Sequence, residues 1–382
     1  MSFSNLGINP KLEVALTTEG ITDPTAVQIQ SAEVLISGKD AFISSETGTG
    51  KTLAYLLPVL SKIDPEIVGL KTIIVAPTHE LAIQVQNQIQ RLIQHSGLAI
   101  RSQLLIGDTP QKRQVEKLKK KPHIVVGSPG RMLDLIKMRK LKVHTVKNIV
   151  LDEIDRLLIG ESIVSIRAII KSTLKERQLI FVSATEQEGC VEEAVSLSKE
   201  LVKVNAKSDQ INSDIKHLYF VEEERKKIDM LRRLMHTMKP KRAIIFVHKN
   251  ERVDVLTRKL EHHKLKVAQI HRDCSKLQRK KALDSFRSGR TTFLISSDIS
   301  SRGLDIKNVT HIFNLDVPTQ TEDYIHRCGR TGRAGATGYA VTITTTQQVR
   351  IIQKHARKLK VEISAMILKD GEVQTDPNQE IK

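Results

Sequence analysis

Ser45-Glu46-Thr47-Gly48-Thr49-Gly50-Lys51-Thr52 joins the apolar run Asp40-Ala41-Phe42-Ile43-Ser44 to the periodic apolar run from Leu53 to Leu60. That order reads as a strand, a glycine turn and a helix. Gly48 and Gly50, with Thr47 and Thr49 around them, let backbone N–H groups approach a polyphosphate closely, and the helix start adds a positive dipole end. Lys51 neutralises phosphate charge and the Thr52 hydroxyl can ligate Mg²⁺. This is the chemistry of a nucleotide phosphate site. Ser45 stands where the usual pattern has its first glycine, and an isolated Gly-Lys-Thr turn is the alternative, so the surrounding chain has to decide.

A second group of reactive residues follows the strand-like run Ile149-Val150-Leu151. Asp152-Glu153-Ile154-Asp155 places carboxylates at the C-terminal edge of a sheet, where ligands of open α/β sheets bind. Asp152 can hold Mg²⁺ through its water shell, and Glu153 can orient and deprotonate an attacking water. Such an acidic turn is also a common helix cap; the phosphate loop favours the catalytic reading. Near the other end, His326-Arg327-Cys328-Gly329-Arg330-Thr331-Gly332-Arg333 sets three arginines among glycines. A solvated face does not explain that density.

The elements that must position these groups follow one pattern. Apolar, β-branched runs at Thr72 to Ala76, Ile124 to Gly127, Asn148 to Leu151 and Leu179 to Val182 alternate with helical periodicity. The pattern recurs at Ala243 to Val247, Lys266 to Ile270, Thr292 to Ser296 and His311 to Leu315. This predicts an α/β protein of two similar lobes, each a mostly parallel sheet with helices on both faces. The expected division is a nucleotide-binding lobe over 1–206, a polar aperiodic linker over 207–214, a second lobe over 215–368 and a short tail over 369–382. Only the first lobe carries a phosphate loop, which suggests a site completed by the second.

Composition narrows the class. With 382 residues the chain is long enough for two cores, and a net charge of +18 favours polyanionic partners, nucleic acid above all. Cys190, Cys274 and Cys328 lie far apart, which argues against a disulfide framework or a zinc motif and for a reducing compartment. No apolar run approaches the roughly 20 residues of a bilayer span, and the N-terminus lacks the pattern of a secretory signal. A cytoplasmic protein without membrane partners is expected.

Taken together these motifs resemble the DEAD-box family of RNA-dependent ATPases, with the strand-terminal motif written DEID and Ile154 in place of the usual alanine. The resemblance covers nearly the whole chain and implies two tandem RecA-like lobes, with ATP and Mg²⁺ as cofactors. Pro24-Thr25-Ala26-Val27-Gln28 looks like the family's adenine-recognition motif, which makes Gln28 the adenine reader and Phe3 its distant aromatic; Ile21 replaces a further aromatic. Pro77-Thr78-His79-Glu80-Leu81-Ala82 and Ser128-Pro129-Gly130-Arg131 are similar to the first-lobe RNA-backbone motifs, implying contacts from Pro77, Thr78, Gly130 and Arg131. Ser183-Ala184-Thr185 resembles the coupling motif, with Ser183 and Thr185 expected to reach Asp155. In the second lobe, Ser297-Asp298 and Arg302-Gly303-Leu304-Asp305 imply an RNA contact at Ser297 and a ribose contact at Asp305, and Arg330 and Arg333 match arginine fingers. His79, Asp108, Arg272 and Lys276 stand where the family usually has arginine, glycine, glycine and glutamine.

The resemblance implies an ATP-dependent RNA helicase whose hydrolysis needs closure of the lobes, favoured by RNA lying across both. Contacts to phosphates and 2′-hydroxyls would make recognition insensitive to sequence and selective for RNA. An ATP-gated RNA clamp or assembly factor with little unwinding stays open as the alternative, because Ile154, His79, Asp108 and Arg272 depart from the family. A catalytically dead scaffold and a DNA translocase are disfavoured by the intact Lys51, Thr52, Asp152, Glu153, Arg330 and Arg333 and by the adenine and Ser-Ala-Thr motifs. The runs Gln114 to Lys120 and Lys140 to His144, with the short ending after Val361, look most like small bacterial members linked to ribosome assembly. That likeness implies a monomer and pre-ribosomal particles as partners.

Overall fold

The computed structural model describes residues 2–45, 49–158, 161–184, 186, 188–205, 214–248, 250–271, 273–297, 306, 308–332 and 337–377, without the side chains of residues 161, 276 and 322. The chain divides into two compact units, Met1–Lys207 and Ser208–Lys382. Most of the segment expected as a linker, 207–213, lies outside the described residues.

In the first unit the strands are β1 (Asp40–Ser44), β2 (Thr72–Val75), β3 (Ser102–Leu105), β4 (Ile124–Gly127), β5 (Asn148–Asp152), β6 (Gln178–Ser183) and β7 (Leu201–Asn205). They form one sheet in the order β3-β4-β2-β5-β6-β1-β7, and every pairing is parallel. Alternate residues point to opposite faces of a strand, and here both faces are covered. Ile43, Ile74, Val150 and Ile180 join one apolar cluster with the helices Pro10–Thr18, Ala26–Ile36, Lys51–Ser61 and His79–Ser96. Phe42, Ile73, Ile149 and Phe181 join another with Pro129–Lys137 and Glu161–Ser172. Double burial explains why these strands are continuous apolar runs in the sequence.

The second unit is built from β8 (Ile215–Val221), β9 (Ala243–Val247), β10 (Val267–Ile270), β11 (Phe293–Ser297), β12 (His311–Asn314), β13 (Gly338–Thr344), β14 (Ile363–Lys369) and β15 (Glu372–Thr375). Their order is β10-β11-β9-β12-β13-β8-β14-β15, parallel except for the final β14-β15 hairpin. The residues set apart as a tail from 369 therefore begin inside β14 and continue into β15. Asp370 and Gly371, with φ of +52° and +79°, make the reversal between them. Helices again cover both faces, with Ile245 and Phe313 packed in one cluster and Ile244 and Phe246 in another.

Two buried histidines make the second unit sensitive to acid. His217 shares a 2.8 Å hydrogen bond between Nδ1 and the Tyr324 hydroxyl, and His311 stacks on Tyr339 with ring centroids 4.8 Å apart. Burial pushes each imidazole down from the ordinary 6.5 to about 4. An unfolded chain takes up protons near pH 6.5 that the folded one refuses, so this contribution is complete above pH 6.5 and is lost as pH falls towards 4. Each ring contributes about 3 kcal/mol across that window. The thermal midpoint of the full chain should fall over it, and ring resonances should stay those of neutral imidazole down to about pH 4. Titration of both rings near 6.5 would refute the assignment.

Candidate functional site

The parallel sheet of the first unit gathers most of the reactive residues at one edge. Ser45 follows β1, Pro77 and Thr78 follow β2, Ser128 follows β4, Asp152 ends β5 and Ser183 ends β6. Since all these strands run the same way, their C-terminal ends share one side of the sheet.

At the phosphate loop, Gly50 caps the helix Lys51–Ser61 in the left-handed region, with φ +93°. That conformation calls for glycine, and a Cβ there would also lie 2.5 Å from Gln28 Nε2, so the Gln28 amide would have to shift. The Lys51 ammonium donates to the Ser45 carbonyl, and the hydroxyls of Ser45 and Thr49 are 2.7 Å apart. Serine at position 45 thus bonds to a loop residue where the usual pattern has glycine. Thr47 and Gly48 lie outside the described residues. Gly50→Ala should lower ATP turnover by about a hundredfold, as expected for a phosphate cradle displaced by an ångström. Nucleotide affinity and steady-state hydrolysis, measured together, check it.

Gln28 is 4 % exposed and already bonded within the chain. Its Oε1 accepts from the Thr25 backbone N–H at 2.9 Å, closing a capping box on the helix Ala26–Ile36, and its Nε2 donates to the Gly50 carbonyl at 3.3 Å. The amide therefore ties the adenine motif to the phosphate loop. Its remaining N–H and lone pair are what an adenine edge would have to use. Phe3, expected as the distant aromatic of the adenine motif, is packed inside the first unit. Only 1 % of it is exposed, within the apolar core of the first unit, so its ring is a packing element there.

Asp152 is the most constrained carboxylate at this edge. It accepts from the Tyr55 hydroxyl at 2.8 Å and from the Glu153 backbone N–H at 2.9 Å. Burial and then the neighbouring charge of Glu153 push it up to about 6, against the opposing effects of the Tyr55 hydrogen bond and the Lys51 charge. A buried anion held at that cost suits a divalent cation bound largely through phosphates and water, with the Thr52 hydroxyl beside Lys51 at the helix start. Glu153 has φ +50°, a left-handed conformation unusual for a non-glycine residue and one found at functional turns. Its carboxylate lies 3.5 Å from Arg156.

Ser183 Oγ donates to Asp155 Oδ1 at 3.3 Å, joining the end of β6 to the short helix Ile154–Leu157 that follows β5. Burial raises the Asp155 carboxyl, with Arg156 as the main opposing charge. Thr185 lies outside the described residues. Ile154 is fully buried in the cluster containing Phe181 and Ile149, so this departure from alanine adds core volume. Tyr55 is the residue that motif reading missed. Its signal was a polar-tipped ring four positions after Lys51, one helical turn along, inside an otherwise aliphatic run.

The candidate RNA residues of the first unit follow strands of the same sheet at this edge. Thr78 caps the helix His79–Ser96 by accepting from the Leu81 N–H at 3.2 Å, and Pro77, Thr78 and His79 are all half-buried. A Cβ on Gly130 would meet nothing within 4 Å, so its backbone is open to a ligand. Arg131 is committed to the loop after β3, donating to the carbonyls of Thr109 at 2.9 Å and Gly107 at 3.2 Å. Between those two carbonyls sits Asp108, 3.1 Å from His79 Nδ1. Two separate departures from the family pattern are therefore a contacting pair.

In the second unit Ser297 ends β11 and is 1 % exposed. Asp298, Arg302, Asp305, Arg272 and Arg333 lie outside the described residues. Arg330 is 8 % exposed and its backbone N–H donates to the Arg327 carbonyl at 3.2 Å. Arg327 itself donates to Asn314 Oδ1 at 3.0 Å and to the Asp316 carbonyl at 2.8 Å, over the ring of Phe246. One arginine of the glycine-rich run is thus a structural brace, which the motif alone does not distinguish.

Comparison with known proteins decides the family. The DEAD/DEAH box helicase model matches residues 25–193, and the helicase conserved C-terminal domain model matches 226–335. The chain is 40 % identical to the DEAD-box ATP-dependent RNA helicase CshC of Bacillus cereus over 97 % of this chain and 95 % of that protein. It belongs to the DEAD-box RNA helicase family. This DEAD-box chain is also 40 % identical to the probable ATP-dependent RNA helicase YfmL of Bacillus subtilis, covering 93 % and 94 % of the two. Its fold matches that of Saccharomyces cerevisiae Dbp5 bound to RNA and ADP BeF3, with a TM-score of 0.87 at 28 % identity over 95 % of each chain. The two tandem RecA-like lobes expected from the sequence agree with that match.

Proposed function

We propose that this DEAD-box protein is an RNA-stimulated ATPase that uses ATP hydrolysis to separate short RNA pairings. The observation that carries the reading is the assembly of Lys51, Asp152, Glu153 and the Ser183–Asp155 contact at one edge of a single parallel sheet. In this reading the backbone around Gly50 and the Lys51 ammonium hold the phosphates of ATP, and Gln28 reads the adenine edge. Thr52 and Asp152 would hold Mg²⁺, which when bound neutralises phosphate charge. Glu153 orients the attacking water and takes its proton. Ser183 and Asp155 transmit the state of that edge, and Arg330 and Arg333 counter the charge that develops on the transferred phosphoryl group.

RNA is held through Pro77, Thr78, Gly130, Arg131 and Ser297 by contacts to its backbone, which makes binding insensitive to sequence. Because the phosphate loop and the arginines belong to different units, the reading requires ATP and RNA to bring those units together. A monomer acting in the cytoplasm, with large-subunit precursors among its RNA targets, is the role we assign. The support is the likeness to compact Bacillus relatives and the wide spacing of Cys190, Cys274 and Cys328 in the sequence. Among the described residues, no helix is long and apolar enough to cross a membrane.

A clamp with little unwinding is the second reading, favoured by the His79–Asp108 contact, which places a carboxylate among the candidate RNA contacts. The test is the ATPase rate with and without single-stranded RNA, with matched DNA as control, at low and moderate salt. Stimulation by RNA alone supports the coupled enzyme and leads to a strand-displacement assay. RNA binding without stimulation supports the clamp. In that case His79→Arg combined with Asp108→Gly should raise RNA affinity, since the pair of changes adds positive charge and removes negative charge beside the phosphates.

A further inference from the structure

The first unit has a second concavity, at the end of the sheet opposite to the phosphate loop. The segments entering β2, β4 and β5 approach the C-terminal end of the helix Gln111–Leu118 and enclose a cavity of about 630 Å³. Two chemistries meet in its wall. Lys119, Lys121, Arg139, Lys140 and Lys142 form a cationic rim, and no aspartate or glutamate is among the described residues that line it. Glu116, beside the rim, is paired with Lys119 at 2.8 Å. Leu70, Leu118, Pro122 and Leu141 supply an aliphatic floor. At its mouth Val68 and the adjoining Ile67 are each 53 % exposed.

The walls are tied down by specific bonds. Arg101 donates to the carbonyls of Lys120 and Lys121 at 3.1 and 3.3 Å, and Thr145 Oγ1 donates to the Leu70 carbonyl at 2.9 Å. Gly69 has φ +128°, and a Cβ there would lie 3.2 Å from Thr145 Oγ1, so the bend before β2 is specified by its glycine. These anchors hold the cavity in place without a ligand, which lowers the ordering cost of binding.

We propose that this cavity docks a short acidic segment of a partner protein, with one aliphatic side chain in the floor and aspartates or glutamates on either side meeting the rim. Charge complementarity selects the partner's sign, because a cationic rim without lining carboxylates attracts and orients an acidic chain. The exposed aliphatic side chains select a protein over a nucleic acid. They suit a buried anchor residue, whereas for bases to stack on the described lining offers no Phe, Tyr or Trp and only the ring of His144. Position makes the docking compatible with catalysis, since the cavity and the ATP residues occupy opposite ends of the same strands. The proposal goes beyond the helicase reading and does not depend on it.

The test is fluorescence anisotropy of the full chain with a labelled short peptide carrying two leucines among aspartates and glutamates. Controls replace the leucines by serine, or the acids by lysine. Saturable, salt-sensitive binding of the first peptide alone is expected. It should weaken roughly tenfold or more in Lys140→Glu combined with Lys142→Glu, where two rim contacts become repulsive, and comparably in Val68→Asp. All three positions are on the surface, and thermal denaturation checks that the variants fold. RNA-stimulated ATPase should be unchanged in them. Absence of saturable binding, equal binding by the variants, or equal binding of the serine peptide would overturn the proposal. So would displacement of the peptide by RNA together with lost RNA affinity in the lysine variant, which would make the cavity a nucleic-acid site. Loss of ATPase in the parent chain would count against the helicase reading and leave the peptide result standing.

Discussion

Lys51→Ala should reduce ATP turnover by at least about 10²–10³-fold, the cost of removing one preorganised donor from a site of developing charge. The lysine does two jobs at the sheet edge. It supplies the cation proposed for the phosphates, and its charge is one of the influences that lower the Asp152 carboxyl, which burial and Glu153 together hold up at about 6. Without Lys51 the Asp152 carboxyl should move further up, so that near neutral pH a larger share is protonated and a weaker ligand for Mg²⁺. The variant should therefore need more Mg²⁺ for whatever activity remains, and its residual rate should rise with pH through the region above 6. RNA binding in the absence of nucleotide should be unaffected, since the candidate RNA residues follow other strands. A Mg²⁺ titration of hydrolysis at several pH values separates these effects. Turnover close to that of the parent would remove Lys51 from the site.

The central strands could be read from sequence because they are buried on both faces. In β2, β4, β5, β6, β9 and β11 nearly every residue is buried, so each is an uninterrupted apolar run. Ile215–Val221 and Gly338–Thr344 escaped although they lie inside the second sheet, because polar residues such as Lys216, His217, Thr342 and Thr344 interrupt their apolar runs; the others that escaped lie nearer the edges. Ser102–Leu105 alternates half-buried with buried positions, Leu201–Asn205 includes an exposed lysine, and Glu372–Thr375 is mostly exposed. Their apolar content is too low to stand out from the connections, and only pairing with a neighbour defines them. At the site, residue types and order were legible but their partners were not. The Gln28 amide was expected to face a base, yet its capping box and its bond to Gly50 depend on how the helix Ala26–Ile36 packs against Lys51–Ser61. His79 and Asp108 looked like independent departures until the loop after β3 brought them to 3.1 Å. Tyr55 is found by asking what satisfies a buried Asp152, a question that needs the fold.

Arg330→Ala should lower the rate of hydrolysis by about 10³–10⁵-fold while leaving ATP affinity nearly unchanged, because an arginine finger acts on charge that develops only in the transition state. The arginine-rich run holds an internal control. Arg327 is 2 % exposed and committed to Asn314 and to the Asp316 carbonyl, so Arg327→Ala leaves buried acceptors without a donor and should act mainly on stability. Arg330 is also buried, at 8 % exposure, so thermal denaturation must accompany its kinetics. A conservative variant keeps the test informative if alanine is poorly tolerated: Arg330→Lys retains the charge and loses the planar fork, and should restore folding before it restores rate. Single-turnover hydrolysis and binding of a non-hydrolysable ATP analogue then divide the outcomes. A rate loss without an affinity loss, in a folded protein, fits a group that meets the phosphoryl in flight. A parallel loss of both would mean that Arg330 holds the ground state, and normal hydrolysis would mean that the charge is countered from elsewhere.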